Sequence, residues 1–253
     1  MAYTLVEILL KNGFDKQEAE LWQHNVDVAL GYLDSAYNKL SHEWDKSIGI
    51  PVKERAYEKI KKSKNMTVSV VPEEPDITTE LYHFINNERD GLNIDDPARN
   101  IEPHCEEPVH SDKRKGKYSK NIDLCFRCGR RVLVFEAKRL ISKKDIKAYF
   151  GEEGIGCFTT DDSPYCTEPV GSMVGYVLAN DLKFWTTSAN DETETTINND
   201  LVLSISFHML GYSWELRKAE NSPILIIHLA LDFTQYVDHK RYTLEELKEL
   251  ITN

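Results

Sequence analysis

At 253 residues and 41% hydrophobic content the chain carries enough apolar material for a globular core, which excludes a wholly disordered or fibrous protein. No run of about 18 apolar residues occurs and Glu7 breaks the apolar start, so neither a membrane span nor a signal peptide is expected; with an odd cysteine count of five, the reading is a cytoplasmic protein with reduced thiols. The net charge of −11 speaks against a nucleic-acid partner only until it is mapped: residues 113–147 hold thirteen Lys or Arg against three acids, a local +10 that leaves −21 on the remainder.

In chain order, Thr4 to Glu7 is a capping box opening a helix that Gly13 closes, and Asp15 with Glu18 opens a second. Trp22, Val26, Ala29, Leu30, Leu33, Tyr37, Leu40 and Trp44 recur at helical spacing down to about Asp45, an apolar stripe whose aromatics read as packing. Pro51 suits the first turn of a third helix through KERAYEKIKK. These helices form an N-terminal region, 1–65, ahead of a second region, 66–253. MTVSVV at 66–71 is a predicted short strand, and ITTELYHFINNE a helix with Asp76 as N-cap and Glu80 in or near its first turn. Residues 90–120, full of turn formers, prolines and charge, read as a long loop ending in the basic SDKRKGKYSK.

The segment KNIDLCFRCGRRVLVFEAKRL follows. IDLCF and VLVFEA are rich in β-branched and aromatic residues, and the residues between them predict a hairpin whose two-residue type II′ turn is Gly129-Arg130. Facing residues then sum to 259, which sets Asp123 opposite Glu136. Directly opposed residues have Cβ atoms about 5 Å apart, close enough for two carboxylates to share a divalent cation. Lys138 points to their face together with Cys125, Arg127, Val132 and Val134, while Ile122, Leu124, Phe126, Leu133, Phe135 and Ala137 form an apolar face for a core.

Beyond the hairpin, Ser142 with Asp145 caps a helix through about Phe150, which glycines 151, 154 and 156 end. MVGYVL at 173–178 is a predicted buried strand, Asp181 to Thr187 a short helix, and NDETETTINND at 190–200 a surface loop. LVLSISF and PILIIHLAL supply two more strands, the second central, and a last helix opens at the capping box Thr243 to Glu246.

A helix with Glu80, a strand with Asp123, a strand with Glu136-Ala137-Lys138 and then a capped helix together resemble the PD-(D/E)xK nuclease superfamily over roughly residues 72–180. The resemblance implies an α/β, restriction-endonuclease-like core, a mixed central sheet flanked by helices, with an N-terminal helical extension. It also implies that Asp123 and Glu136 bind Mg²⁺, with Mn²⁺ as a substitute, that Glu80 supports the metal, that the Ala137 carbonyl is an extra ligand, and that Lys138 orients or activates water. Glu88, further along the same helix, is the alternative to Glu80. The proline that precedes the first Asp of the family motif is missing here, where Asn121-Ile122 stands. Tyr149 to Phe158 with Met173 to Val177 is similar to bacterial restriction-endonuclease-like proteins, some of them phage-defence effectors.

The chemistry needs these residue types because Mg²⁺ prefers oxygen ligands and bridges carboxylates to phosphate. A lysine beside the cation would have its pKa depressed and become available as a base. Lys113, Arg114, Lys115, Lys117, Lys120, Arg127, Lys143, Lys144 and Lys147 are the candidate contacts to a nucleic-acid backbone. The expected activity is metal-dependent hydrolysis of DNA, by an endonuclease or exonuclease of a bacterial defence or restriction system. Its rivals are an RNase on the same core and a non-catalytic clamp or docking subunit, and the joint retention of Asp123, Glu136 and Lys138 favours the enzyme. The acidic remainder points to a protein partner or to self-association. Cys125 and Cys128, with His104, Cys105 and His110 upstream, lack zinc-ribbon spacing and read as thiols. His208 and His228 read as strand histidines, with His208 a secondary candidate for the substrate groove.

Overall fold

The computed structural model describes residues 2–63, 66–108, 121–160, 167–192, 195–203, 205, 207–217 and 222–252. Reciprocal bonds between Thr4 and Glu7 open α1 (Leu5–Lys11), and the Asp15 carboxylate accepts the Glu18 N–H to open α2 (Lys16–Trp44). The predicted stripe is buried from Trp22 to Trp44, with Tyr37 half-buried. The helix does not end at Asp45. It widens into one π turn (Asp45–Gly49) and continues as α3 (Ile50–Lys62), with Pro51 in the first turn, where its missing N–H costs least.

The predicted strand at 66–71 shrinks to β1 (Val68–Ser69), paired with residues 241–242 near the C-terminus. Next, α4 (Glu74–Gly91) starts earlier than expected. Its N-cap is Glu73 rather than Asp76, which instead closes a capping box by accepting the Glu73 N–H at 2.7 Å. Pro75 therefore lies inside the first turn of the helix.

The long loop expected over 90–120 is also corrected: after a 3₁₀ turn at Pro97–Asn100, Glu102–Pro108 form β2. Prolines 103 and 108 hid this strand. It lies at the sheet edge, where a missing ladder donor is tolerated. β3 (Asn121–Cys128) and β4 (Arg131–Leu140) are the hairpin, in the predicted register from Leu124↔Phe135 to Cys128↔Arg131. Gly129 has φ +61° and Arg130 has none of the positive φ of a type I′ turn, as the type II′ reading requires.

The capping box of Ser142 and Asp145 opens α5 (Lys143–Phe150), followed by the short α6 (Gly156–Thr159) and β5 (Val170–Val177), which is buried along its whole length. α7 (Leu182–Glu192) runs further than predicted, into the expected loop. Among the described residues LVLSISF contributes only a bridge from Leu201 to Tyr3, and the strand is the following segment, β6 (His208–Arg217). As an edge strand with Gly211 at φ +133°, β6 lacks the β-branched run that marks β7 (Ser222–Asp232), an inner strand. β8 (Arg241–Tyr242) is the partner of β1, and Thr243 with Glu246 opens α8 (Leu244–Thr252).

The fold is α/β, with one six-stranded mixed sheet in the order β2-β3-β4-β5-β7-β6 and helices on both faces. β2, β3 and β4 form an antiparallel meander; β5 is parallel to β4 and to β7; β6 returns antiparallel. The N-terminal helices and α4 share one continuous core with the face carrying Phe126, Phe135 and Phe233. α5, α6 and α7 bring Tyr149, Phe158 and Trp185 to the other face. No helix among the described residues is long and apolar enough to cross a membrane.

Candidate functional site

The hairpin ladder stops one step short of Asp123 and Glu136, and there a side chain takes over from the backbone. Asp123 Oδ2 accepts the Ala137 N–H at 2.7 Å, which pins the carboxylate between the two strands. The splay also rotates Ile122 out of the apolar face expected for it and into the core on the opposite side. The other five residues of that face, Leu124, Phe126, Leu133, Phe135 and Ala137, stay together.

Glu136 is 3% exposed. Its Oε1 accepts from Lys138 Nζ at 2.6 Å, whereas its Oε2 is buried with no donor among the described residues, the Glu136 carboxyl meeting only another carboxyl group, that of Asp123, on that side. An unsatisfied buried acceptor of this kind costs about 1–3 kcal/mol and calls for a missing partner or a functional use. Lys138 Nζ also donates to the Ala137 carbonyl at 2.7 Å and lies 3.5 Å from Glu74 Oε1. One ammonium thus sits among Glu136, Glu74 and a carbonyl.

Glu74 is the residue the sequence reasoning missed. Glu80 lies a turn and a half further along α4, beside a shallow cleft with Arg55 and Asp76, and does not join the cluster. Glu88 pairs with Lys39. The earlier helix start is the cause: it puts Glu74 at the first helical position, where a carboxylate is favoured by the helix dipole. Pro75 in the second position was the available signal.

Arg139 locks this helix start to β4. Its backbone N–H donates to Glu74 Oε2 at 3.1 Å, its Nη1 donates to the Pro72 carbonyl at 3.0 Å, and the same nitrogen lies 2.8 Å from Glu73 Oε2. On the far side of the turn, Arg55 of α3 grips the Asp76 carboxylate, Nη1 to Oδ1 at 2.6 Å. The position of Glu74 is therefore fixed from both the sheet and the N-terminal helices.

Burial, reinforced by the Asp123 charge, pushes Glu136 up to about 8 against the pull of Lys138. Burial also raises Asp123 and Glu74, although the Ala137 N–H and Lys138 act against it at Asp123 and Lys138 does so at Glu74. For Lys138, burial pulls downward, but Glu136, Glu74 and Asp123 outweigh it and hold the ammonium above the ordinary lysine value. Without a cation, these acidic neighbours favour the charged form of Lys138; the depression expected beside a bound cation concerns the loaded site.

Among the described residues no group of three or more His, Cys, Asp or Glu side chains is placed to hold a metal ion. Asp123, the orphaned Glu136 Oε2 and the Ala137 carbonyl nevertheless make an open, all-oxygen donor set, which fits a hard divalent cation that keeps several of its waters. Glu74 stands behind that set through Lys138.

Of the expected backbone contacts, Lys113, Arg114, Lys115, Lys117 and Lys120 lie outside the described residues, as does His110. Lys143, Lys144 and Lys147 are exposed on α5, which follows the β4 strand directly. Arg127 is near the hairpin turn, four residues from Asp123 and so about 13 Å along the strand. No disulfide joins Cys105, Cys125, Cys128 and Cys157 to one another. His208 is exposed at the first residue of β6, and His228 is a fully buried core residue. No family model matches the chain, and no curated protein or solved structure does either.

Proposed function

We propose that the protein is a Mg²⁺-dependent nuclease that hydrolyses DNA phosphodiesters on a restriction-endonuclease-like core. The observation that carries this reading is the cluster at the end of the hairpin: Asp123 pinned by the Ala137 N–H, Glu136 buried with one oxygen lacking a donor, and Lys138 between Glu136 and Glu74. The element order supports it, since α4, an antiparallel meander, α5 and a strand parallel to the last of the meander agree with the resemblance drawn from the sequence.

Bound Mg²⁺ supplies charge neutralisation at the phosphoryl oxygens and makes water more acidic. Asp123, Glu136 and the Ala137 carbonyl hold it. Lys138, kept protonated by its neighbours, meets the negative charge that builds on the phosphate and orients the attacking water. Glu74 holds Lys138 in place, and the exposed lysines of α5 position the nucleic-acid backbone. The acidic remainder of the chain supports control by a protein partner or by self-association, in keeping with a defence effector.

The test compares wild type with Glu136→Ala on plasmid, linear duplex, single-stranded DNA and RNA, in Mg²⁺ and in EDTA. Cleavage indifferent to EDTA or to the substitution would sink the proposal, and a preference for RNA would redirect it to an RNase.

Two further results are expected. Glu74→Gln raises the Mg²⁺ concentration for half-maximal cleavage by about tenfold, the low end for loss of a residue supporting a metal site, while Glu80→Gln leaves it unchanged. The reverse order would restore the sequence-based assignment. Arg139→Ala shifts the Mg²⁺ requirement in the same direction and Arg139→Lys recovers part of the loss, because a lysine retains the charge facing Glu73. An Arg139→Ala enzyme with wild-type Mg²⁺ dependence would rule out the clamp.

A further inference from the structure

A second concavity, of about 220 Å³, lies where the π turn, the residues leading into α4 and the C-terminal segment meet. Its aromatic wall is Trp44, Tyr236 and Tyr242, and its rim carries Asp45, Asp238 and Lys53. The wall is preformed: the Trp44 ring stacks with Phe233 at 5.0 Å and with Tyr236 at 5.4 Å between centroids. A cavity of about 150 Å³ holds benzene, so this one has room for a fused two-ring body.

Two features shape the mouth. The π turn is a rare departure from α geometry, of a kind frequent at functional sites. Within it, the Asp45 carboxylate lies over Gly49, where an added Cβ would meet Oδ1 at 2.7 Å, a contact the exposed Asp45 side chain can relieve by turning away. The charges do not cancel. Lys53 lies 3.8 Å from Asp45, whose side chain is 82% exposed, and Asp238, which accepts from the Tyr242 hydroxyl and the Lys240 N–H, leaves the lining with one carboxylate in excess. A cation, Lys240 Nζ, already lies 5.0 Å over the Tyr242 ring. Aromatic walls combined with a net negative rim select positively charged organic groups.

We propose that this cavity binds a free small organic cation with an aromatic body. Binding itself does not depend on the nuclease reading. Its consequence does, since Pro72 lines the cavity and its carbonyl holds Arg139, the residue that fixes Glu74. Occupancy is therefore sensed where the helix start is fastened to β4.

Calorimetry on the full chain in EDTA, without nucleic acid, tests the binding with tryptamine, indole and indole-3-acetate, which share a ring system and differ in charge. Tryptamine is expected to bind at least tenfold more tightly than indole, and indole-3-acetate more weakly than either. The surface pair Asp45→Asn and Asp238→Asn should erase the advantage of tryptamine over indole, and Val237→Trp, at a half-buried position on the wall, should abolish binding of both while thermal melts confirm folding. Equal binding of the three probes, no binding of tryptamine at millimolar concentration, or full binding to folded Val237→Trp protein would overturn the site. With cleavage as the readout, saturating tryptamine should shift the half-maximal Mg²⁺ concentration at least threefold; no shift, with binding intact, would overturn the link to Glu74.

Discussion

Replacing Glu136 with glutamine is expected to cut metal-dependent cleavage by about a thousandfold and, at the same time, to stabilise the metal-free protein by about 1–2 kcal/mol. On the proposed nuclease reading, the loss follows from removing an anionic metal ligand where several kcal/mol of charge stabilisation would be delivered, at 1.36 kcal/mol per factor of ten. The gain follows from the cost of a buried acceptor without a donor. Its pH dependence has a definite sign. The Glu136 carboxyl rises from 4.5 to about 8 on folding, so its favourable contribution is complete below pH 4.5 and lost as pH climbs through 8. Glutamine cannot ionise, and the variant should pull ahead of wild type between pH 5 and pH 8. Urea unfolding in EDTA at those two pH values measures the difference. A gap that does not widen with pH would mean that Glu136 is satisfied in the metal-free protein. A stability gain coupled to lost activity is the pattern of a residue kept for function at the expense of folding.

The hairpin was legible because its determinants are local. Turn chemistry at Gly129 and two-residue alternation fix a register, and the register alone predicts that Asp123 and Glu136 meet. What local pattern could not supply was the exact meeting. The ladder gives way to the Asp123 carboxylate there, and Ile122 changes faces, because a buried Ala137 N–H must find an acceptor. Glu74 was illegible for a related reason. A helix start is a contest among neighbouring caps, and Glu73 wins over Asp76 because Asp76 is drawn into the capping box and held by Arg55, more than twenty residues upstream. β2 and β6 were missed because edge strands tolerate proline, glycine and polar residues that inner strands exclude. Long-range partners decide these cases, and no window of sequence contains them.

His228 gives the second large effect, an acid sensitivity located in one buried side chain. Its Nδ1 lies 3.3 Å from the Tyr149 hydroxyl and its Nε2 lies 3.0 Å from Ser213 Oγ, while the Tyr149 hydroxyl donates to the Met173 carbonyl at 3.2 Å. With the Tyr149 proton committed to that carbonyl, a neutral ring that donates from Nδ1 faces Ser213 with Nε2 as acceptor, and the Ser213 hydroxyl is shared between Nε2 and the Glu215 carboxylate. Complete burial then drives the imidazole pKa from 6.5 down to about 3. A depressed histidine stabilises the fold above pH 6.5, and that contribution is withdrawn as pH falls toward 3, because the unfolded chain takes up a proton that the folded protein refuses. The withdrawal is about 1.4 kcal/mol per pH unit, or about 2.7 kcal/mol by pH 4.5. His228→Gln should start less stable than wild type at pH 8, for want of the same hydrogen-bond geometry, and should close that gap by about 2.7 kcal/mol at pH 4.5. The slope from Glu136 is common to both proteins and cancels in the comparison. A gap in urea midpoint that stays constant from pH 8 to pH 4.5 would show that the folded protein accommodates the charged ring and that the Tyr149-His228-Ser213 network is not confined to the neutral form.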